Sequence, residues 1–136
     1  MKLNQVTVSV TDIPRAIAFY EQLGMYLIVK DDHYARFELP DGDTFSIHVA
    51  DDVPTSGTPP SGTPRSGTMV YFEFEDVDKA VRDAEARGIT FTMQPTDQSW
   101  LWREAYLSDP DGNQLCFLQA SRNRRFPPWR VDGRTS

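Results

Sequence analysis

Thiol and imidazole are scarce in this 136-residue chain: one cysteine, Cys116, and two histidines, His33 and His48. A lone cysteine excludes an internal disulfide framework and suits a reducing compartment, so a cytoplasmic protein is the expectation. No apolar run approaches membrane-spanning length, and Thr7 and Ser9 interrupt the first apolar stretch, so neither a membrane span nor a signal-peptide core is expected. There is no glycine-rich phosphate loop and no nucleophilic triad. Excess positive charge is missing too. With 14 basic against 20 acidic residues the formal charge is -6, which argues against nucleic acid as a partner. Five of the basic residues, Arg122, Arg124, Arg125, Arg130 and Arg134, crowd the end of the chain and leave the body more acidic than the total. They read as a solvated tail, or as a basic arm for an acidic neighbour.

What is present is a pattern stated twice. Asn4 to Val10 alternates, with Gln5, Thr7 and Ser9 on one face and Val6, Val8 and Val10 on the other, as in a half-buried strand. Thr11-Asp12 is a helix N-cap with Pro14 in the first turn. Ile13, Ala16, Ile17, Tyr20 and Leu23 share one helical face, and Gly24 is the stop. Met25–Val29, Tyr34–Leu39 and Thr44–Ala50 read as strands. Asp51 to Gly67 is rich in Pro, Gly, Ser and Thr and reads as a linker. The pattern then returns. Thr68 to Phe74 alternates, Asp76 caps a helix, and Val77, Ala80, Val81, Ala84 and Gly88 stand 64 positions after Ile13, Ala16, Ile17, Tyr20 and Gly24. Ile89–Met93 is the next expected strand and Gln94–Ser99 a polar loop. Leu101–Leu107 and Gln114–Gln119 form a hairpin around Asp109-Pro110-Asp111-Gly112-Asn113, whose residues suit a tight turn. The two Asp-Gly pairs lie 70 apart, so the second copy carries about six extra residues, placed in Gln94–Ser99. Chance does not readily align strand, cap, helix, stop and hairpin in order.

These residues predict one α+β domain over 1–136: module one at 1–50, linker 51–67, module two at 68–119 and a tail at 120–136. Two β-α-β-β-β modules, the opening Val-Thr-Val-Ser-Val-Thr-Asp, Ala18-Phe19-Tyr20-Glu21-Gln22-Leu23-Gly24 and the Asp109–Asn113 turn together resemble the glyoxalase/bleomycin-resistance/extradiol-dioxygenase superfamily, the vicinal oxygen chelate fold. The resemblance covers residues 2 to about 119. It implies sheets curled around a cavity and a homodimer. Activity stays open, because this fold hosts lyases, isomerases, dioxygenases, thiol transferases and drug-binding proteins.

The resemblance also implies where a metal would be held: on the first and last strand of each module, at Gln5, Ser46, Met69 and Cys116 here. A divalent cation needs three or four converging O or N donors. An amide, a hydroxyl, a thioether and a thiol are a poor set, so no cofactor is expected. A rearranged metal site from Gln5, His48, Glu73 and Cys116 is the rival. Against it, a histidine near a strand end is usually a surface or hydrogen-bonded group, and an inward cysteine usually a small hydrophobe. Asp31-Asp32 and Asp51-Asp52 read as solvated strand ends. Without a metal the cavity is still aromatic, with Tyr71, Trp100, Trp102 and Tyr34 on its walls or rim. Trp100 and Trp102 serve equally as covers of a module interface. Inward Glu73 would favour a cation, and Arg103, if turned inward, an anion.

The sequence therefore points to a small-molecule-binding protein for an aromatic or hydrophobic ligand, bound through Gln5, Ser46, His48, Met69, Tyr71, Trp102, Arg103 and Cys116. The alternative is a glyoxalase-like lyase or dioxygenase with a divergent ligand set. A third reading is metal-free proton transfer by the catalytic candidates Glu73 or His48. In the tail, Phe126-Pro127-Pro128-Trp129 is expected to dock on the body or on a partner subunit.

Overall fold

The computed structural model describes residues 1–49 and 68–131. The linker, with Asp51-Asp52, and Arg134 lie outside them. Module one runs β1 (Gln5–Val10), α1 (Ile13–Leu23), β2 (Tyr26–Lys30), β3 (Tyr34–Glu38) and β4 (Thr44–Val49). Module two repeats it with β5 (Met69–Glu73), α2 (Val77–Ala86), β6 (Met93–Asp97), β7 (Arg103–Ser108) and β8 (Gln114–Gln119), and a 3-10 turn follows at Ser121–Arg124. Each module is a four-stranded sheet, in the orders β1-β4-β3-β2 and β5-β8-β7-β6, with the first strand parallel to the last. Among the described residues no helix is long and apolar enough to cross a membrane.

Local chemistry sets the helix ends where the sequence places them. Asp12 and Asp76 accept hydrogen bonds from the backbone N–H groups of Arg15 and Lys79. Gly24 and Gly88 take φ values of 113° and 95°, the left-handed conformation in which a side chain is strained. Each helix buries its apolar stripe on its own sheet, and the two helix-bearing faces merge into one core. Phe45 of module one meets Phe72 of module two edge to face at 6.1 Å.

Polar bonds fasten the modules as well. The Asp109 carboxylate, 2 % exposed, accepts the Tyr20 hydroxyl at 2.7 Å, the Asn113 side-chain amide, and the backbone N–H groups of Asp111 and Asn113. Asp111 accepts from the backbone and hydroxyl of Thr11 and pairs with Arg15 at 3.3 Å. Asn113 donates to the Ser9 carbonyl. The Asp-Pro-Asp-Gly-Asn turn is thus also the clasp between the two copies. At the far end of the helices Arg87 donates to the Gln22 and Leu23 carbonyls.

Three strands start elsewhere than expected. Ile89 and Phe91 are core plugs ahead of the strand, and β6 is Met93–Asp97 rather than Ile89–Met93. It is an edge strand whose register shifts between Met93 and Thr96, which accommodates Pro95 with its missing N–H. The β6–β7 turn at Gln98–Leu101 holds Leu101 at φ 68°, so β7 begins at Arg103. The extra residues of module two are therefore spread out. The offset between copies is 64 at the helices, 67 from Tyr26 to Met93, 69 from Tyr34 to Arg103 and 70 from Thr44 to Gln114. β2 starts at Tyr26 because Met25, next to the Gly24 stop, is buried in the core.

Candidate functional site

Because the helix-bearing faces of both sheets enter one core, the opposite faces point outward on either side of it. On module one that face is polar. Gln5 donates through Nε2 to Ser46 Oγ at 3.1 Å and to the Tyr34 hydroxyl at 3.3 Å, while its Oε1 accepts from Thr44. Ser46, fully buried, shares a hydrogen with Thr7. Arg36 Nε donates to the Tyr34 hydroxyl at 2.9 Å. Burial alone raises the Tyr34 phenol's pKa, but the bonds from Arg36, Ser46 and Gln5 outweigh it and the net shift is downward. His48 Nε2 lies 3.3 Å from Ser9 Oγ.

Module two's outward face is aromatic and acidic. The register sets Tyr71 beside Cys116 and Cys116 beside Tyr106; one row on, Glu73 lies beside Leu118 and Leu118 beside Glu104. Met69, Trp102 and Tyr106 pack on Cys116, Leu118 and Ala120 in a cluster separate from the main core. Tyr71, 53 % exposed, meets Trp102 edge to face at 6.0 Å. Glu104 is 2 % exposed and accepts from the Trp100 indole at 3.0 Å and from the Tyr106 hydroxyl. The Cys116 thiol is pushed up to about 12, first by burial and then by the Glu104 charge. The tail touches this face: Arg124 pairs with Glu73 at 3.1 Å, and the Trp102 indole donates to the Asn123 carbonyl. Beside Trp102 opens a cleft of about 430 Å³ at the sheet edge, also lined by Asp97, Leu101, Arg103, Ala120 and Asn123.

The residues picked from sequence thus divide between two faces. Gln5, Ser46 and His48 are together on module one; Met69, Tyr71, Glu73, Trp102 and Cys116 are together on module two. Arg103 turns the other way. It pairs with Asp78 of α2 through two hydrogen bonds at 2.8 and 2.9 Å and with Asp97 at 3.0 Å, on the face that Ala105 and Leu107 bury. Its partner lies 25 residues away, out of reach of strand-level reasoning. Asp31 caps the His33 N–H in an exposed turn. Trp129 remains 57 % exposed, while Phe126 is ringed by Arg122, Arg125 and Arg130. Glu104 is the site residue that sequence reasoning missed. The visible signal was Trp102, Glu104 and Tyr106 alternating with apolar Ala105 and Leu107.

The donors do not fit a divalent cation. Gln5's oxygen is taken by Thr44, Ser46 is a hydrogen-bonded hydroxyl, Met69 is a soft thioether, and Cys116 is a protonated thiol at neutral pH. In the rearranged set His48 is bonded to Ser9 and Glu73 is paired with Arg124. Among the described residues no group of three or more His, Cys, Asp or Glu is placed to hold a metal.

Solved structures share this architecture. A glyoxalase/bleomycin resistance protein/dioxygenase from Nocardioides is 24 % identical with a TM-score of 0.69, over 100 % of this chain and 90 % of that one. A bleomycin resistance determinant encoded on the transposon Tn5 is 21 % identical with a TM-score of 0.69, over 88 % of this chain and 98 % of its own. A bleomycin-binding protein complexed with bleomycin is 20 % identical with a TM-score of 0.67 over the same shares. At these identities the likeness is one of fold. The model of the Glyoxalase/Bleomycin resistance protein/Dioxygenase superfamily matches residues 2–117, every strand and helix of the two modules but for the last two residues of β8, and the chain belongs to that superfamily.

Proposed function

We propose that this chain is a metal-independent binding protein for an aromatic or hydrophobic small molecule. The observation that carries the reading is the outward face of module two, where Tyr71, Trp102 and Tyr106 lie together around a protonated thiol instead of a charged ligand group. Flat apolar molecules are held by such rings through stacking and burial. That a structural neighbour binds bleomycin agrees with small-molecule binding on this fold. Each chain presents two outward half-cups of different chemistry, and a second copy of the chain is the simplest way to close one against the other. The active form is then a homodimer in a reducing, cytoplasmic setting, and sedimentation gives its mass.

Acridine, flat and uncharged in mildly alkaline buffer, tests the site. It should quench tryptophan emission saturably, and Trp102→Ala should weaken its binding by about fivefold or more, the scale of one aromatic contact. No saturable quenching, or unchanged affinity in the variant, refutes the placement. Element analysis of protein purified without chelator should find Zn, Ni, Mn and Fe well below one per chain. A stoichiometric metal that is lost in Gln5→Ala/His48→Ala would install the metalloenzyme instead.

A further inference from the structure

We propose that the outward face of module two is a site for a flat organic cation, a protonated or quaternised aromatic amine, held on the ring faces of Tyr71, Trp102 and Tyr106 with the Glu104 carboxylate behind them. The proposal rests on the aromatic-binding reading above and narrows its ligand to one charge class.

Glu104 is the starting point. It is almost wholly buried, yet both of its hydrogen-bond donors, the Trp100 indole and the Tyr106 phenol, are neutral. No ion pair reaches it among the described residues, and Arg103, its neighbour in sequence, is committed to Asp78 and Asp97 on the other face. A buried carboxylate without a countercharge is an expensive arrangement. A bound cation would supply the missing charge.

The surroundings have the same polarity. The register puts Glu73 and Glu104 in one row across Leu118, with Tyr71 and Tyr106 in the adjoining row, so acids and rings share one surface. Tyr71 and Trp102 meet edge to face at 85°, and Tyr71 is largely exposed. Cations are drawn to such faces by the ring quadrupole. Tyr106 donates its hydroxyl to Glu104, which pushes electron density into its ring and strengthens that attraction. One cation is already there: the Arg124 guanidinium of the tail sits on Glu73 at 3.1 Å. A plainly structural Glu104, satisfied by its two donors, is the competing account, and it makes no demand on ligand charge.

N-methylacridinium and neutral acridine have nearly the same shape and differ by one positive charge, so their affinity ratio isolates the claim. In the native protein N-methylacridinium should bind about tenfold tighter or more, the scale of a partly desolvated cation on aromatic faces. Glu104→Gln should bring the two dyes to near parity with acridine binding intact, while Asp41→Asn, a remote exposed turn residue, should leave the preference in place. Equal affinities in the native protein, a preference that survives Glu104→Gln, or one that falls equally with Asp41→Asn would overturn the cation site and leave the aromatic site standing. If neither dye binds, both readings fall. If Glu104→Gln does not fold by circular dichroism, Tyr71→Leu, at an exposed position, must weaken N-methylacridinium more than acridine. Equal weakening would overturn the proposal.

Discussion

Tyr20→Phe deletes one oxygen from the clasp between the modules. In the native protein that hydroxyl donates to Asp109 Oδ2 at 2.7 Å, with both residues essentially inaccessible to water. Burial, then the Asp109 charge, drives the phenol's pKa well above its ordinary value, so it stays protonated and donating throughout the accessible pH range. Phenylalanine keeps the ring contacts with Phe37 and Phe45, so the loss isolates the hydrogen bond. A bond to a charged acceptor contributes about 1.5–3 kcal/mol, and the carboxylate left behind keeps the Asn113 amide and two backbone N–H donors, so about 2 kcal/mol is expected. For a domain of this size that lowers the melting temperature by roughly 6–10 °C. Urea unfolding should show a shifted midpoint at unchanged slope, since no surface is newly exposed. Asp109→Asn should lose more, because its NH2 group would face existing donors. In the double variant the two losses should be non-additive by about 1 kcal/mol or more. A Tyr20→Phe loss below about 0.5 kcal/mol, or strict additivity, would refute the clasp.

Other outcomes follow from single contacts. Cys116, buried and with its thiol pushed up to about 12, should react with a disulfide reagent only in denaturant; rapid stoichiometric labelling of the native protein would show the face to be open. Arg103→Ala should lower the melting temperature at neutral pH. The hydrogen bond from Arg103, more than its charge, holds Asp78 below its ordinary carboxyl value, so that stabilisation is present above the usual aspartate range and lost as pH falls through the depressed value. The gap between Arg103→Ala and native protein should therefore narrow in acid; a gap independent of pH would count against the pairing. Gly88→Ala should destabilise by about 1 kcal/mol from backbone strain alone, because an added Cβ meets nothing nearer than Gln22 Nε2 at 3.9 Å; an unchanged midpoint in urea would contradict that origin.

Most of the fold was legible because its signals are local. Asp12, Asp76, Gly24 and Gly88 act within one turn of where they stand, and the alternation of β1 and β5 needs no partner to be seen. The strand after α2 was not, because Ile89 and Phe91 carry strand-like apolarity while plugging the core, and the pairing begins only where Thr92 reaches the Tyr106 carbonyl. The clasp shows the same limit. Asp109-Pro110-Asp111-Gly112-Asn113 announces a turn, but Tyr20 lies 89 positions away and Thr11 100. The candidate site divides likewise. Which residues share a face follows from period-two spacing, whereas Arg103's direction depends on Asp78, and the burial of Glu104 on Trp100 and Tyr106 packing over it.

On the metal-independent reading proposed above, the two outward faces satisfy their polar groups in different ways. A buried hydroxyl or amide is costly only while it lacks a partner. On module one Ser46 is met by Thr7 and Gln5, and Gln5 in turn by Thr44 and Tyr34. In that network each of these polar side chains has a protein partner. On module two the corresponding strand position is Cys116, a protonated thiol among rings, and the buried carboxylate of that face is Glu104 on the neighbouring strand β7. Glu104 lies behind aromatic faces, a wall that offers a cation ring surface and a single carboxylate. Such a wall cannot grip a small, strongly hydrated divalent ion, which demands several close oxygen donors. It suits a large, weakly hydrated cation whose charge is spread over a ring, because that ion can shed its water against aromatic surface at little cost.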